Sequence, residues 1–198
     1  MKKNPAVLIL IALNVAVYLI EGPPGDRFEQ LFALWPLSMP GAFHWWQIVS
    51  YAFLHDPTGL AHITFNMIGL LTFGMAIERS VGSLRLLACY FASVVSAALA
   101  QLIVPPLLGA EPGPVIGASG GVFGLLLAFA VMFPHQKVVM LLLPIPLPAW
   151  LFACLYAAAE LFFGVTGTLS GIAHFAHLGG MIGSALVVLQ WRHARLWR

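Results

Sequence analysis

Charge is scarce in this chain. Nine Lys and Arg and seven Asp and Glu are spread over 198 residues, 8% of the sequence against 61% hydrophobic residues. A soluble domain is about one quarter charged. With a mean hydropathy of +0.94, a 21.4 kDa globule would have too little polar surface to face water, so the expected solvent is lipid. The net charge is only +2, and no basic patch with interleaved aromatics occurs, which argues against a nucleic-acid partner. Cysteine is nearly absent. Cys89 and Cys154 both fall in apolar runs and read as buried thiols, not as a disulfide or metal ligands. There is no internal repeat, no low-complexity tract, no H-E-x-x-H and no alternation of strand and helix patterns. These absences leave an all-α polytopic membrane protein, one domain over residues 1–198, with no metal and no cofactor expected.

The long hydrophobic runs give the spans. Crossing about 30 Å of hydrocarbon takes roughly 20 helical residues. Six candidates lie at about 6–20, 60–78, 85–108, 119–134, 138–163 and 172–191. Met1-Lys2-Lys3 before the first run resembles a signal peptide. The run ends at Glu21-Gly22-Pro23-Pro24 without a small-residue cleavage site, so it reads as a span. The fourth candidate is short, bounded by a glycine cluster and Pro134, and is expected to start below the membrane surface. The fifth carries Pro144, Pro146 and Pro148, which favour a kinked or broken helix.

An even number of spans puts both termini on one side, with Lys2, Lys3, Arg79, Arg85, Lys137, Arg192, Arg195 and Arg198. Only Arg27 lies opposite. Basic loops stay in the cytoplasm, so both termini are expected on the cytoplasmic face of the cell (inner) membrane. The segment at about 21–59 holds Phe28, Leu31, Phe32, Leu34, Trp35, Trp45 and Trp46. Trp favours the headgroup level, so this loop is expected to lie half-inserted in the interface.

Spans two, four and six then enter from the same outer side, and their first turns share one depth. Those turns hold His62 and Asn66, Ser119, and His174 and His177. Ionisable and polar groups at this depth are costly and default to function. Ser119 fits a nucleophile and His177 its base. The first amides of span four, that of Ser119 included, offer an oxyanion site, joined by His62 and Asn66, which are four apart on one helical face. Gly117, Gly120 and Gly121 clear side chains from around the hydroxyl. Gly179-x-x-x-Gly183 and Gly180-x-x-x-Ser184 allow close packing of span six. Asp56 and Glu111 fall in outer segments and Glu160 late in span five, so no acid is expected at His177: a dyad, not a triad.

Other readings compete. Ser119 alone suits a helix N-cap. Gly117-x-Ser119-x-Gly121 matches a nucleophile elbow, but Glu111-Pro112-Gly113-Pro114 precedes it where a strand is required. His55, His62, His174 and His177 offer a histidine-rich metal site, though no carboxylate joins them. A transporter, a channel or an inactive binding protein is the remaining class.

Three signatures agree in order and spacing. His62-x-x-x-Asn66, Gly117-Ala118-Ser119-Gly120 and Ala176-His177-Leu178-Gly179-Gly180 resemble the rhomboid family of intramembrane serine proteases. The resemblance covers the full chain. It implies a minimal six-helix prokaryotic bundle, a Ser119–His177 dyad working through an acyl-enzyme, and an oxyanion hole from Ser119, His62 and Asn66. Gly117, Gly120, Phe123 and Gly180 would support that site, and the substrates would be transmembrane segments of other membrane proteins entering from the bilayer. Span five and the loop at 28–46 are the expected gates. The chain departs from the family where Trp46-Gln47 replaces a common Trp-Arg and Phe123 a common Tyr. His55 matches a structural histidine, and His174 is expected as a wet residue at the cavity mouth.

Overall fold

The computed structural model describes residues 5–111, 113–139, 145–169 and 171–194. It is a helical bundle. Helix α1 (Pro5–Ile20) leads into a long loop holding the short helices α2 (Arg27–Phe32) and α3 (Gln47–Ser50). Helices α4 (Ala61–Gly69) and α5 (Met75–Val81) are joined through a π-helical turn, Leu70–Gly74, into one rod. Then come α6 (Ser83–Leu107), α7 (Ser119–Met132), the strands β1 (Lys137–Val139) and β2 (Pro146–Pro148), α8 (Ala149–Thr166) and α9 (His174–His193). By length and composition, Ala61–Val81, Ser83–Leu107 and Ala149–Thr166 can cross a membrane, and α1 and α7 are shorter apolar helices.

Helix α7 is the centre of the bundle. Its 14 residues span about 21 Å at 1.5 Å each, less than the hydrocarbon thickness. Beyond Ser119 it is apolar on every side, as a helix must be when neighbours surround it. Helices α6 and α9 flank it and pack along each other. Small residues make this possible. A Cβ on Gly180 would run into the carbonyl of Gly120, and one on Gly124 into the Ser93 side chain and, at 2.8 Å, the Gly180 carbonyl oxygen. A Cβ on Gly179 would stand 2.7 Å from the Ser96 carbonyl oxygen. Backbone thus meets backbone across both interfaces, the close approach that small-residue faces permit.

Buried polar groups tie the outer helices to this centre. Glu78, 2% exposed, accepts the amides of Ala6 at 3.0 Å and Val7 at 3.1 Å, and the Ser83 hydroxyl at 2.5 Å. A carboxylate here satisfies first-turn amides of α1 and suits the positive end of its dipole. In the first loop, Gln47 is fully buried. Its carbonyl oxygen accepts from the amides of His44 at 3.1 Å and Trp35 at 3.4 Å, while its nitrogen donates to the carbonyls of Ala42, Leu31 and Gln30. A neutral amide, with both a donor and an acceptor end, therefore joins separate turns of the loop at the position where a cation was noted as missing.

Two expectations are corrected. The fifth span does not run from 138. Residues 137–139 and 146–148 form an antiparallel ribbon, with Val138 opposite Leu147, and the helix starts at Ala149 behind Pro148. Proline lacks the donor a helix interior needs but is tolerated at its start, so Pro146 and Pro148 precede α8 and do not kink it. Pro144 lies outside the described residues. Cys89 is buried, as expected, but Cys154 is exposed on α8.

Candidate active site

Ser119 is the first residue of α7, with Ala118 at the cap position. The chain reaches it from a bridge between Leu34 and Val115 (N···O 2.9 and 3.0 Å), which ties this loop to the first loop. Gly117 makes the turn at φ +123°, its amide donating to the Tyr51 carbonyl at 3.0 Å. Only glycine suits that φ, and space agrees: a Cβ here would lie 2.7 Å from His62 Nε2 and 3.7 Å from Ser119 Oγ. The Ser119 hydroxyl does not cap its helix. It lies 2.8 Å from His177 Nε2.

His177 is in the first turn of α9. Its ring stacks on Phe123 with centroids 4.2 Å apart and planes 6° from parallel. On the other flank is Glu160 of α8, whose Oε1 stands 3.0 Å from His177 Nδ1. The pair is in ion-pair contact but bent out of straight hydrogen-bond alignment. Glu160 Oε2 is 2.6 Å from Nδ1 of His174. This corrects the expectation that no acid reaches His177. Glu160 was expected too late in its span, but the late turns of α8, at Glu160 and Gly164, pack against the first turn of α9. Gly164, one turn on, lets α9 come near, since a Cβ there would meet the Phe175 and His174 side chains at 3.1–3.3 Å. His174 is corrected too. It is buried behind His177 against α8 and is not among the residues lining the cavity.

His62 opens α4. Its Nδ1 accepts the amide of Asp56 at 3.2 Å. In the neutral ring the proton is then on Nε2, the atom that lies 2.7 Å from where a Gly117 Cβ would stand. Asn66, 4% exposed, gives one N–H to the His62 carbonyl at 2.9 Å, and its second N–H remains for the cavity. Both line a cavity of about 760 Å³ together with Gln101, Ser119, Phe123 and His177. That is within the usual range for a ligand site. Gln101 was not singled out from the sequence. It is buried on α6, and its side-chain oxygen has no partner among the described residues. A lone amide inside the third apolar run was the signal.

The four histidines separate into two pairs. His55 and His62 stand with ring centroids 5.0 Å apart on one side of the serine, and His174 and His177 share Glu160 on the other. Among the described residues, no group of three His, Cys, Asp or Glu is arranged to hold a metal ion. His55 is 1% exposed, and burial, with the neighbouring His62 ring, pushes it down to about 4. Its backbone amide donates to both oxygens of Glu21, at 2.9 and 3.1 Å. Burial raises that carboxyl to about 7, against the pull of the amide.

The arrangement defines a class: a helical membrane domain with a hydroxyl–imidazole pair beside a cavity of mixed polar and apolar lining. Residues 42–193 match the Rhomboid domain family model. The chain belongs to the rhomboid family, and with its apolar helices it is a multi-pass membrane protein. It is 32% identical over 189 residues to Rhomboid protein 1, mitochondrial, of Saccharomyces cerevisiae, covering 93% of this chain and 53% of that one. It is 31% identical over 180 residues to Rhomboid protease GluP of Bacillus subtilis, covering 88% and 32%. With Rhomboid protease GlpG of Serratia proteamaculans it shares 28% identity over 193 residues, 97% and 65%. The chain thus spans about half or less of the first two of these relatives.

Proposed function

We propose that this protein is an intramembrane serine endopeptidase that cleaves transmembrane segments of other membrane proteins. The observation that carries the reading is the 2.8 Å contact between Ser119 Oγ and His177 Nε2, set beside a cavity inside a bundle of apolar helices. Relatives named as rhomboid proteases support it.

In this reading α1, the α4–α5 rod, α6, α7, α8 and α9 are the six spans, with α7 beginning below the membrane surface; both termini are cytoplasmic, and the site opens toward the extracellular or periplasmic side. A substrate helix enters from lipid and unwinds, because a helical peptide bond is shielded by its own turn. Ser119 Oγ attacks the carbonyl carbon while His177 Nε2 takes the hydroxyl proton. The negative oxygen is met by the Ser119 amide, the His62 Nε2–H and an Asn66 N–H. Such donors are each worth about 3 kcal/mol to the transition state. His177 then gives its proton to the leaving amine, and the C–N bond breaks. Water, deprotonated by His177, hydrolyses the ester and restores Ser119.

The test is cleavage of a generic transmembrane substrate by purified protein in detergent or liposomes. Ser119→Ala and His177→Ala should each lower kcat by roughly 10⁴-fold or more, and a chelator should change nothing. Full activity in Ser119→Ala would overturn the reading.

A further inference from the structure

We propose that Glu160 is a positioning residue for His177, with His174 as its anchor, so that the working unit is a serine, a histidine and a carboxylate. The inference rests on the Ser119–His177 reading above, which by itself needed no acid.

For His177 Nε2 to take the Ser119 proton at 2.8 Å, it must present a lone pair, so the proton of the neutral ring belongs on Nδ1. His177 is 8% exposed. A buried N–H without an acceptor costs the full desolvation of that group, and the other tautomer would point a proton at the serine and disable the base. Glu160 Oε1, 3.0 Å from Nδ1, is the acceptor in place. When the proton moves from Ser119 to His177, the resulting imidazolium also lies against a carboxylate.

The contact is not yet straight, and the surroundings say how it becomes so. Phe123 holds the imidazole in one plane, 6° from its own ring. Catalytic hydrogen bonds are often bent in the free enzyme and tighten with substrate bound. The carboxylate itself is held: Oε2 is 2.6 Å from His174 Nδ1, and the residue is 8% exposed. His174 Nε2 is buried without a hydrogen-bond partner among the described residues, so the ring's polar contact there is with Glu160. Tyr156, a turn earlier on α8 and 5.8 Å from the Phe123 ring, and His62 across the cavity are the other titratable groups beside this cluster.

Two measurements test the assignment. In the cleavage assay, Glu160→Gln should lower kcat on the order of 10²-fold, less than the roughly 10⁴-fold seen when a fully buried triad acid is neutralised. KM should stay within about threefold, counted per molecule titratable at Ser119. His174→Gln, which keeps a donor for the carboxylate, should lose less than His174→Phe. Unchanged kcat in Glu160→Gln, or a loss matched wholly by fewer titratable molecules, overturns the proposal. The second readout needs no turnover. The ¹⁵N NMR signals of the His177 ring, assigned with His177→Gln, should report the Nδ1–H tautomer in the wild type and a tautomer mixture in Glu160→Leu. The same tautomer in both would overturn the role of Glu160 even were the protein to cleave nothing. Loss of cleavage in Ser119→Ala with full cleavage in Glu160→Gln would leave the endopeptidase reading standing and remove only this inference.

Discussion

Helix α9 meets two very different neighbours. Against α6 and α7 its glycines touch backbone, and no methyl group fits between. Against α8 it lays its own Phe175 ring near Gly164, where an added Cβ would meet that ring at 3.1–3.3 Å, and it shares one bridging carboxylate, Glu160. The first contact is a rigid seam that fixes the distance between Ser119 and His177. The second is a polar clasp on a helix whose other faces carry exposed Leu155, Leu161, Phe162 and Val165. Ser119 and His177 sit on the rigid seam, whereas Glu160 is delivered by the peripheral helix.

The contrast predicts unequal tolerance. Gly180→Ala, which drives a Cβ into the Gly120 carbonyl, should cost about 3 kcal/mol or more and deplete folded protein, since backbone on both sides cannot give way. Gly164→Ala should cost under about 1 kcal/mol, because its neighbours are side chains that can shift by tenths of an ångström. Thermal unfolding in detergent compares the two, and equal losses would break the distinction. Next in size is the ring stack on the base. Phe123→Ala removes a contact worth about 1 kcal/mol and should lower kcat roughly fivefold, while Phe123→Tyr, keeping the ring, should change it by less than about twofold.

The smallest effect is one of opposed slopes at the first loop. His55 is held near 4, below its ordinary 6.5, so the stability it contributes is present above 6.5 and is lost as pH falls toward 4. Glu21 is raised to about 7 from 4.5, so its contribution is present below 4.5 and is lost as pH rises toward 7. The two partly cancel in the wild type. Between pH 4.5 and 6.5, His55→Gln should leave a Tm that falls with rising pH, and Glu21→Gln a Tm that rises. Parallel profiles in the two variants would contradict these assignments.

Much of this was legible in the residues, for reasons that can be named. Apolar runs broken by glycine, proline and charge mark helix ends, so α1, α6, α7 and α9 begin and end within a few residues of the runs read from the sequence. Convergence is also readable: His62, Ser119 and His177 fall in the first turns of α4, α7 and α9 and line one cavity. Which turns of α8 and α9 meet is not. Glu160 was set aside for lying late in span five, yet the late turns of α8 pack against the first turn of α9, which puts it beside His177. The series Ala153, Ala157, Glu160, Gly164, a small-residue stripe with one acid in it, was the pointer. Gln47 eluded the reading for a different reason: its role depends on loop turns that no periodicity marks.

The central claim is that Ser119 is a nucleophile activated by His177. The direct measurement is to treat the purified protein in detergent with a serine-directed fluorophosphonate and locate the adduct by peptide mass spectrometry. The account predicts one adduct, on Ser119, formed at least 10²-fold more slowly in His177→Ala, as befits loss of a general base. An adduct on another serine, or equal labelling of Ser119 with and without His177, would contradict it.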